Sequence, residues 1–168
     1  MAQGPYVVTG ASKGIGRAIS QKIASEGYPV IALARSSKEL DEIGKLLATA
    51  CPGSFAIPCD LSKPESIYNA AQIILQSTPW IAGIVHNAGT IFPIMPLAQV
   101  EIAKWSASIN ANLIGVQDLT QRLLSNLGGS QQSRITTISS GAALRQVESW
   151  SAYCVAKAGL DMWARCLA

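Results

Sequence analysis

The chain has 168 residues, 49% of them apolar and 14% charged, with a formal net charge of +3. That size suits one domain with a true core, and the apolar fraction excludes a disordered chain. The cations are scattered without an aromatic-laced basic stripe, which argues against nucleic acid, and no apolar run approaches the roughly 18 residues of a membrane span.

Strand-like and helix-like segments alternate along the chain. Tyr6-Val-Val-Thr9 reads as a short buried strand, followed by a helix from Gly16 to about Glu26 that Gly27 ends. Pro29 to Ala34 is a second strand, and Ser37 to Ala50 is a helix with Leu40, Ile43, Leu46 and Leu47 at helical spacing. Ser54 to Pro58 is a third strand. Ser62-Lys-Pro-Glu65 has the form of a capping box with proline in the first turn and opens the next helix. Trp80 to Val85 is a fourth strand; helix returns from Pro96 to Leu127 with a break near Lys104; Arg134 to Ile138 is a fifth strand; Ser149 onward is helix. Short Val/Ile/Ala runs between helices predict an α/β fold, a doubly wound, Rossmann-like parallel sheet covered on both faces.

Gly10, Gly14 and Gly16 stand between the first strand and its helix. Glycine there permits a tight turn and a close backbone approach to a pyrophosphate, and the helix N-terminus offers free N–H groups. The spacing departs from the commoner G-x-G-x-x-G, but its place between strand and helix still predicts dinucleotide binding. Sites for NAD carry an acid about 20 residues on. Here Ala34-Arg35-Ser36-Ser37 has none before Glu39, while Arg35 and Lys13 supply two cations for a 2′-phosphate. NADP(H) is therefore the expected cofactor. Asp60, after the third strand, is placed to meet the adenine amino group.

Near the far end, Tyr153 and Lys157 lie one helical turn apart, and Ser140 lies thirteen residues before Tyr153, next to Ser139. A ketone that gains hydride at carbon must gain a proton at oxygen. A phenol titrates near 10 unperturbed. One cation at ~4 Å and an effective dielectric of ~20 contributes about 4 kcal/mol toward its ionisation, so a lysine one turn along is the partner a tyrosine acid requires.

Together, Thr9-Gly-Ala-Ser-Lys-Gly-Ile-Gly16, Asp60-Leu61, His86-Asn87-Ala88-Gly89, Asn112-Leu-Ile-Gly115, Ser140 and Tyr153-x-x-x-Lys157 resemble the short-chain dehydrogenase/reductase family, in its non-extended branch. The resemblance covers nearly the whole chain. It implies an NADPH-dependent carbonyl reductase or alcohol dehydrogenase with Tyr153 as general acid. Lys157 would bind the nicotinamide ribose, Ser140 would polarise the substrate oxygen, and Asn112 would hold a proton-relaying water. It places Gly10, Ser12, Lys13, Gly14, Ile15, Gly16, Arg35, Asp60, Leu61, Asn87, Ala88, Gly89, Tyr153 and Lys157 at the cofactor. His86 replaces the family's usual asparagine and is expected to satisfy backbone groups at a strand end.

Segments Phe92–Pro96 and Leu144–Trp150 are expected to line a pocket for a bulky or aromatic ketone, and Ser139-Ser-Gly-Ala-Ala with Trp150-Ser-Ala-Tyr153 is similar to benzil reductase and sepiapterin reductase-like members. Family members continue past Ala168, so the resemblance implies one domain over 1–168 lacking the family's C-terminal strands. It also implies the alternative of a truncated, non-catalytic NADP-binding fragment that associates with a full-length relative. The helices Pro96–Leu127 and Ser149–Ala168 are the expected association faces. Cys51, Cys59, Cys154 and Cys166 show no metal or disulfide spacing, which predicts reduced thiols, no metal and a cytoplasmic setting. The N-terminus lacks the basic region of a signal peptide.

Overall fold

The computed structural model describes residues 4–127 and 133–167. Five parallel strands form one sheet in the order β3-β2-β1-β4-β5. They are β1 (Tyr6–Thr9), β2 (Val30–Ala34), β3 (Phe55–Pro58), β4 (Gly83–His86) and β5 (Arg134–Thr137). The helices are α1 (Gly14–Ser25), α2 (Lys38–Ala50), α3 (Pro64–Ser77), α4 (Ile102–Ile109), α5 (Gly115–Leu123) and α6 (Ser151–Leu167). The register Val8↔Ala32 and Val8↔Val85 aligns the central strands. Their C-terminal ends therefore share one edge, where a doubly wound sheet binds its ligand.

β2 is buried along its whole length because it lies inside the sheet with helices on both faces. Val7, Ile31, Leu33 and Ile84 pack in one core with Ile67 and Ile74 of α3 and Leu119 and Leu123 of α5. Val8, Val30, Ala32 and Val85 pack in the other with Leu40, Ile43 and Leu47 of α2. β5 is the outer strand, and its Arg134 and Thr136 are exposed.

Three expectations about the elements are corrected. The Ser62–Glu65 capping box does not form: the Ser62 hydroxyl and N–H both donate to Asp60 Oδ1, at 2.7 and 3.0 Å. Lys63 becomes the N-cap, without a side-chain bond. Helix does not run from Pro96. Met95 N–H donates to Ser149 O at 3.0 Å, Leu97–Gln99 form a turn, and α4 starts only at Ile102 after an extended Glu101. Its irregularity is a π turn over Asn110–Ile114, not a break near Lys104. Finally, Ser149 has φ 65, left-handed backbone that cannot start a helix, so α6 begins two residues later.

Candidate functional site

The glycine loop is held from below by two side chains. The Thr9 hydroxyl accepts from Asn87 N–H and Ala88 N–H, both at 3.0 Å, and donates to Val85 O at 3.4 Å. Asn87 Nδ2 donates to Thr9 O and Gly10 O, at 3.0 and 3.2 Å. This clamp leaves no room above Gly16: a Cβ there would lie 2.3 Å from both Asn87 Nδ2 and Gly10 O. Gly10 and Gly14 take positive φ, at 66 and 56. A Cβ on Gly14 would meet nothing within 4 Å, so its backbone faces open space at the start of α1, as a phosphate cradle requires. Sequence reasoning assigned Thr9 no role; its position just before Gly10 was the available signal.

From this loop a cleft of about 1090 Å³ extends along the strand ends. Gly10, Ser12 and Lys13 line it on one side, Arg35, Asp60 and Leu61 on another, and Asn87, Ala88 and Gly89 on a third. Those sequence-predicted residues are thus brought together. Ile15 is exposed at the head of α1, and Gly14 and Gly16 complete the loop. The cleft continues past Thr90 and Phe92–Met95 to Ala107, Ser108 and Ala111 of α4 and the π turn. Phe92–Met95 thus line the cleft as expected, whereas Leu144–Trp150 are not part of its wall.

Charges at the rim follow from this packing. Partial burial would raise Asp60, but the Ser62 hydroxyl and N–H, with Lys63 and Arg35 nearby, hold its carboxyl below the usual range. Cys59 also lines the cleft; burial, aided by the Asp60 charge, pushes its thiol up to about 11 and keeps it protonated. Glu39 lines the same cleft as Lys13 and Arg35, a neighbourhood that sequence spacing did not reveal.

None of Asn112, Ser140, Tyr153 and Lys157 lines this cleft; Asn112 and Lys157 lie behind Gly89, which does. Lys157 is 3% exposed; its Nζ donates to Ile138 O at 2.7 Å and lies 5.8 Å from the centroid of the Tyr153 ring. Burial holds this ammonium below the ordinary lysine range, with Asp161 opposing. A Cβ on Gly89 would lie 3.1 Å from Asn112 Oδ1 and 3.7 Å from Lys157 Nζ, so Asn112 and Lys157 pack closely against this glycine of the cleft wall. Asn112 is fixed there by Thr90: its Oδ1 accepts from Thr90 N–H at 2.8 Å and its Nδ2 donates to Thr90 O at 2.9 Å. Trp150 packs edge-on to Tyr153 at 5.8 Å between centroids. Ser140 caps a short 3-10 turn, Gly141–Ala143, by accepting from Ala142 N–H at 3.2 Å; Ser139 is exposed beside it.

His86 departs from expectation. Its ring does not serve backbone groups. Nε2 pairs with Thr120 Oγ1 at 2.7 Å, and Thr120 itself donates to Val116 O at 2.8 Å. The hydroxyl proton is thereby committed, so Nε2 carries the imidazole hydrogen and Nδ1 is left without a hydrogen-bond partner among the described residues. The Trp163 ring stands edge-on at 5.7 Å. Burial lowers His86 to about 3, so it is neutral and structural.

A family model described as short chain dehydrogenase matches residues 6–168. Among curated relatives, the chain is 31% identical over 165 residues to a benzil reductase ((S)-benzoin forming) of Bacillus subtilis, covering 95% of this chain and 64% of that protein. It is 34% identical over 163 residues to an L-xylulose reductase of Caenorhabditis elegans, covering 96% and 63%, and 27% identical to a benzil reductase of Bacillus cereus, covering 96% and 66%. The chain thus spans about two thirds or less of the length of these relatives. A solved metagenomic short-chain oxidoreductase in complex with NADP superposes with a TM-score of 0.91 at 31% identity, covering 99% of this chain and 75% of that one.

Proposed function

Since the chain belongs to the short-chain dehydrogenase family, we propose that it is the nucleotide-binding and catalytic portion of an NADPH-dependent carbonyl reductase. The observation that carries this reading is the Lys157 ammonium, buried beside the Tyr153 ring and just behind Gly89 of the cleft. Gly10, Gly14 and Gly16 fit a pyrophosphate, because side chains would fill or strain that loop. Lys13 and Arg35 fit a 2′-phosphate, and Asp60 fits the adenine amino group. NADPH, when bound, supplies the hydride.

The chain's own residues supply the proton. The Tyr153 hydroxyl gives its hydrogen to the carbonyl oxygen as that oxygen becomes negative. Lys157 stabilises the resulting phenolate and binds the ribose, Ser140 orients the substrate oxygen, and Asn112 holds a water that returns a proton toward Lys157. Phe92, Ile94 and Met95 give the cleft an apolar wall that suits a bulky or aromatic ketone, and association through α4–α5 and α6 follows from their exposed apolar residues.

Tyr153→Phe tests the assignment. It should lower reduction of an aromatic diketone such as benzil by about 10²- to 10⁴-fold, the usual worth of a positioned proton donor, with NADPH affinity unchanged by fluorescence titration. Undiminished turnover would refute it. The exposed apolar side chains of Ile102, Val155 and Met162 favour a second reading: a non-catalytic NADP-binding piece that pairs with a longer relative. NADPH binding without turnover in the parent chain is its signature.

A further inference from the structure

We propose that Glu39 is a specificity-determining residue of the nucleotide cleft, a built-in anion that disfavours a ribose 2′-phosphate and offers an acceptor to a ribose 2′-hydroxyl. The inference rests on the reading of this cleft as a dinucleotide site and concerns how selective that site is. The sequence offers no acid directly after β2, which by itself predicts a cleft reserved for the phosphorylated cofactor. The fold alters that balance. Glu39 lies in the first turn of α2 and lines the same cleft as Lys13, Arg35, Ser36 and Ser37.

Its carboxylate is exposed at the start of this helix. Ser37 Oγ accepts from Leu40 N–H at 3.2 Å, which leaves the hydroxyl hydrogen free to be donated. The Glu39 backbone N–H and the Ser37 hydroxyl, then the Lys13 and Lys38 charges, hold the Glu39 carboxyl below the usual range. It is therefore ionised wherever the protein is folded near neutral pH. The positive end of α2 favours an anion at this place, and here the protein provides one of its own.

A 2′-phosphate entering between Lys13 and Arg35 gains two cations but meets this third, negative group. A 2′-hydroxyl loses little from the cations and gains a hydrogen-bond acceptor. The cleft should therefore take NADH as well as NADPH, with a preference much smaller than two cations alone would give.

The test is fluorescence titration of NADPH and NADH against the parent chain and Glu39→Gln, with 2′-AMP and AMP as competitors to isolate the 2′ position. Glu39→Gln should tighten NADPH and 2′-AMP by about fivefold, the scale of one exposed charge acting on a screened dianion, and weaken NADH. A ratio of NADPH to NADH affinity within twofold of the parent value would overturn the proposal while leaving the dinucleotide reading intact; a purely structural role, which weakens both alike, gives that same unchanged ratio. A folded parent chain that binds neither nucleotide would overturn both.

Discussion

At the scale of single residues, His86 shows how one buried side chain sets the response to acid. It is 1% exposed, and its folded pKa of about 3 lies below the unfolded 6.5. The unfolded chain therefore binds a proton that the folded chain refuses. The associated stability is complete above pH 6.5 and is lost as pH falls from 6.5 toward 3, at about 1.4 kcal/mol per pH unit. By about pH 4 the loss from this one group is roughly 3 kcal/mol. His86→Asn should flatten that slope, measured as urea midpoints between about pH 7 and 4. An unchanged slope would mean that other groups dominate acid unfolding. The sequence revealed only a lone histidine at a strand end; the partner Thr120 is 34 residues away, and nothing in local pattern links them.

At the scale of elements, the tightest constraint is where α5 meets the loop after β3. A Cβ on Gly115 would lie 2.0 Å from Leu61 O, a backbone atom that cannot turn aside. Gly115→Ala should destabilise the fold by about 1–3 kcal/mol through overpacking. It should also weaken NADPH binding, because the displaced carbonyl belongs to the residue after Asp60. A thermal melt and a nucleotide titration check the two effects, and a variant with parent stability would show that α5 can shift without cost.

The strands and α2 were legible in sequence because their apolar period is set by burial on the sheet, and Ser37 caps α2 as a serine at that place should. The start of α4 and the π turn were not legible. Pro96 suits the first turn of a helix, yet the tie from Met95 to Ser149 holds the preceding chain elsewhere, and a tie between residues so far apart in sequence leaves no local trace. Ser62 was misread for a similar reason: two donors to Asp60 outcompeted the cap. The tight turn of the glycine loop and the approach of Lys157 to the Tyr153 ring were readable because each is local in sequence. The place of Glu39 on the cleft wall depends on how α2 docks, and only the fold discloses it.

At the scale of the whole molecule, large apolar side chains are exposed on several elements, α4, the π turn and α6 among them. Ile102 and Ile114 on the α4–α5 run and Val155 and Met162 on α6 are all half or more exposed, and α4 and the π turn pack beside α6. Such a patch favours association. Sedimentation of the chain should show concentration-dependent self-association that Val155→Glu with Met162→Glu abolishes, leaving far-UV circular dichroism unchanged. A parent chain that remains monomeric at high concentration would show that this patch is tolerated in water.

The ammonium of Lys157 hangs from the carbonyl of Ile138, whose own N–H is donated to His86 O at 2.9 Å. That carbonyl follows β5, which pairs with β4. The Lys157 ammonium is thus moored just past β5, while the glycine loop is moored to the central strands β1 and β4. Fraying there would free the Lys157 ammonium from its carbonyl while the Thr9–Asn87 clamp on the glycine loop still stands, so warmth or mild denaturant should loosen Lys157 before it loosens the loop, checked by amide hydrogen exchange at Ile138 and Asn87.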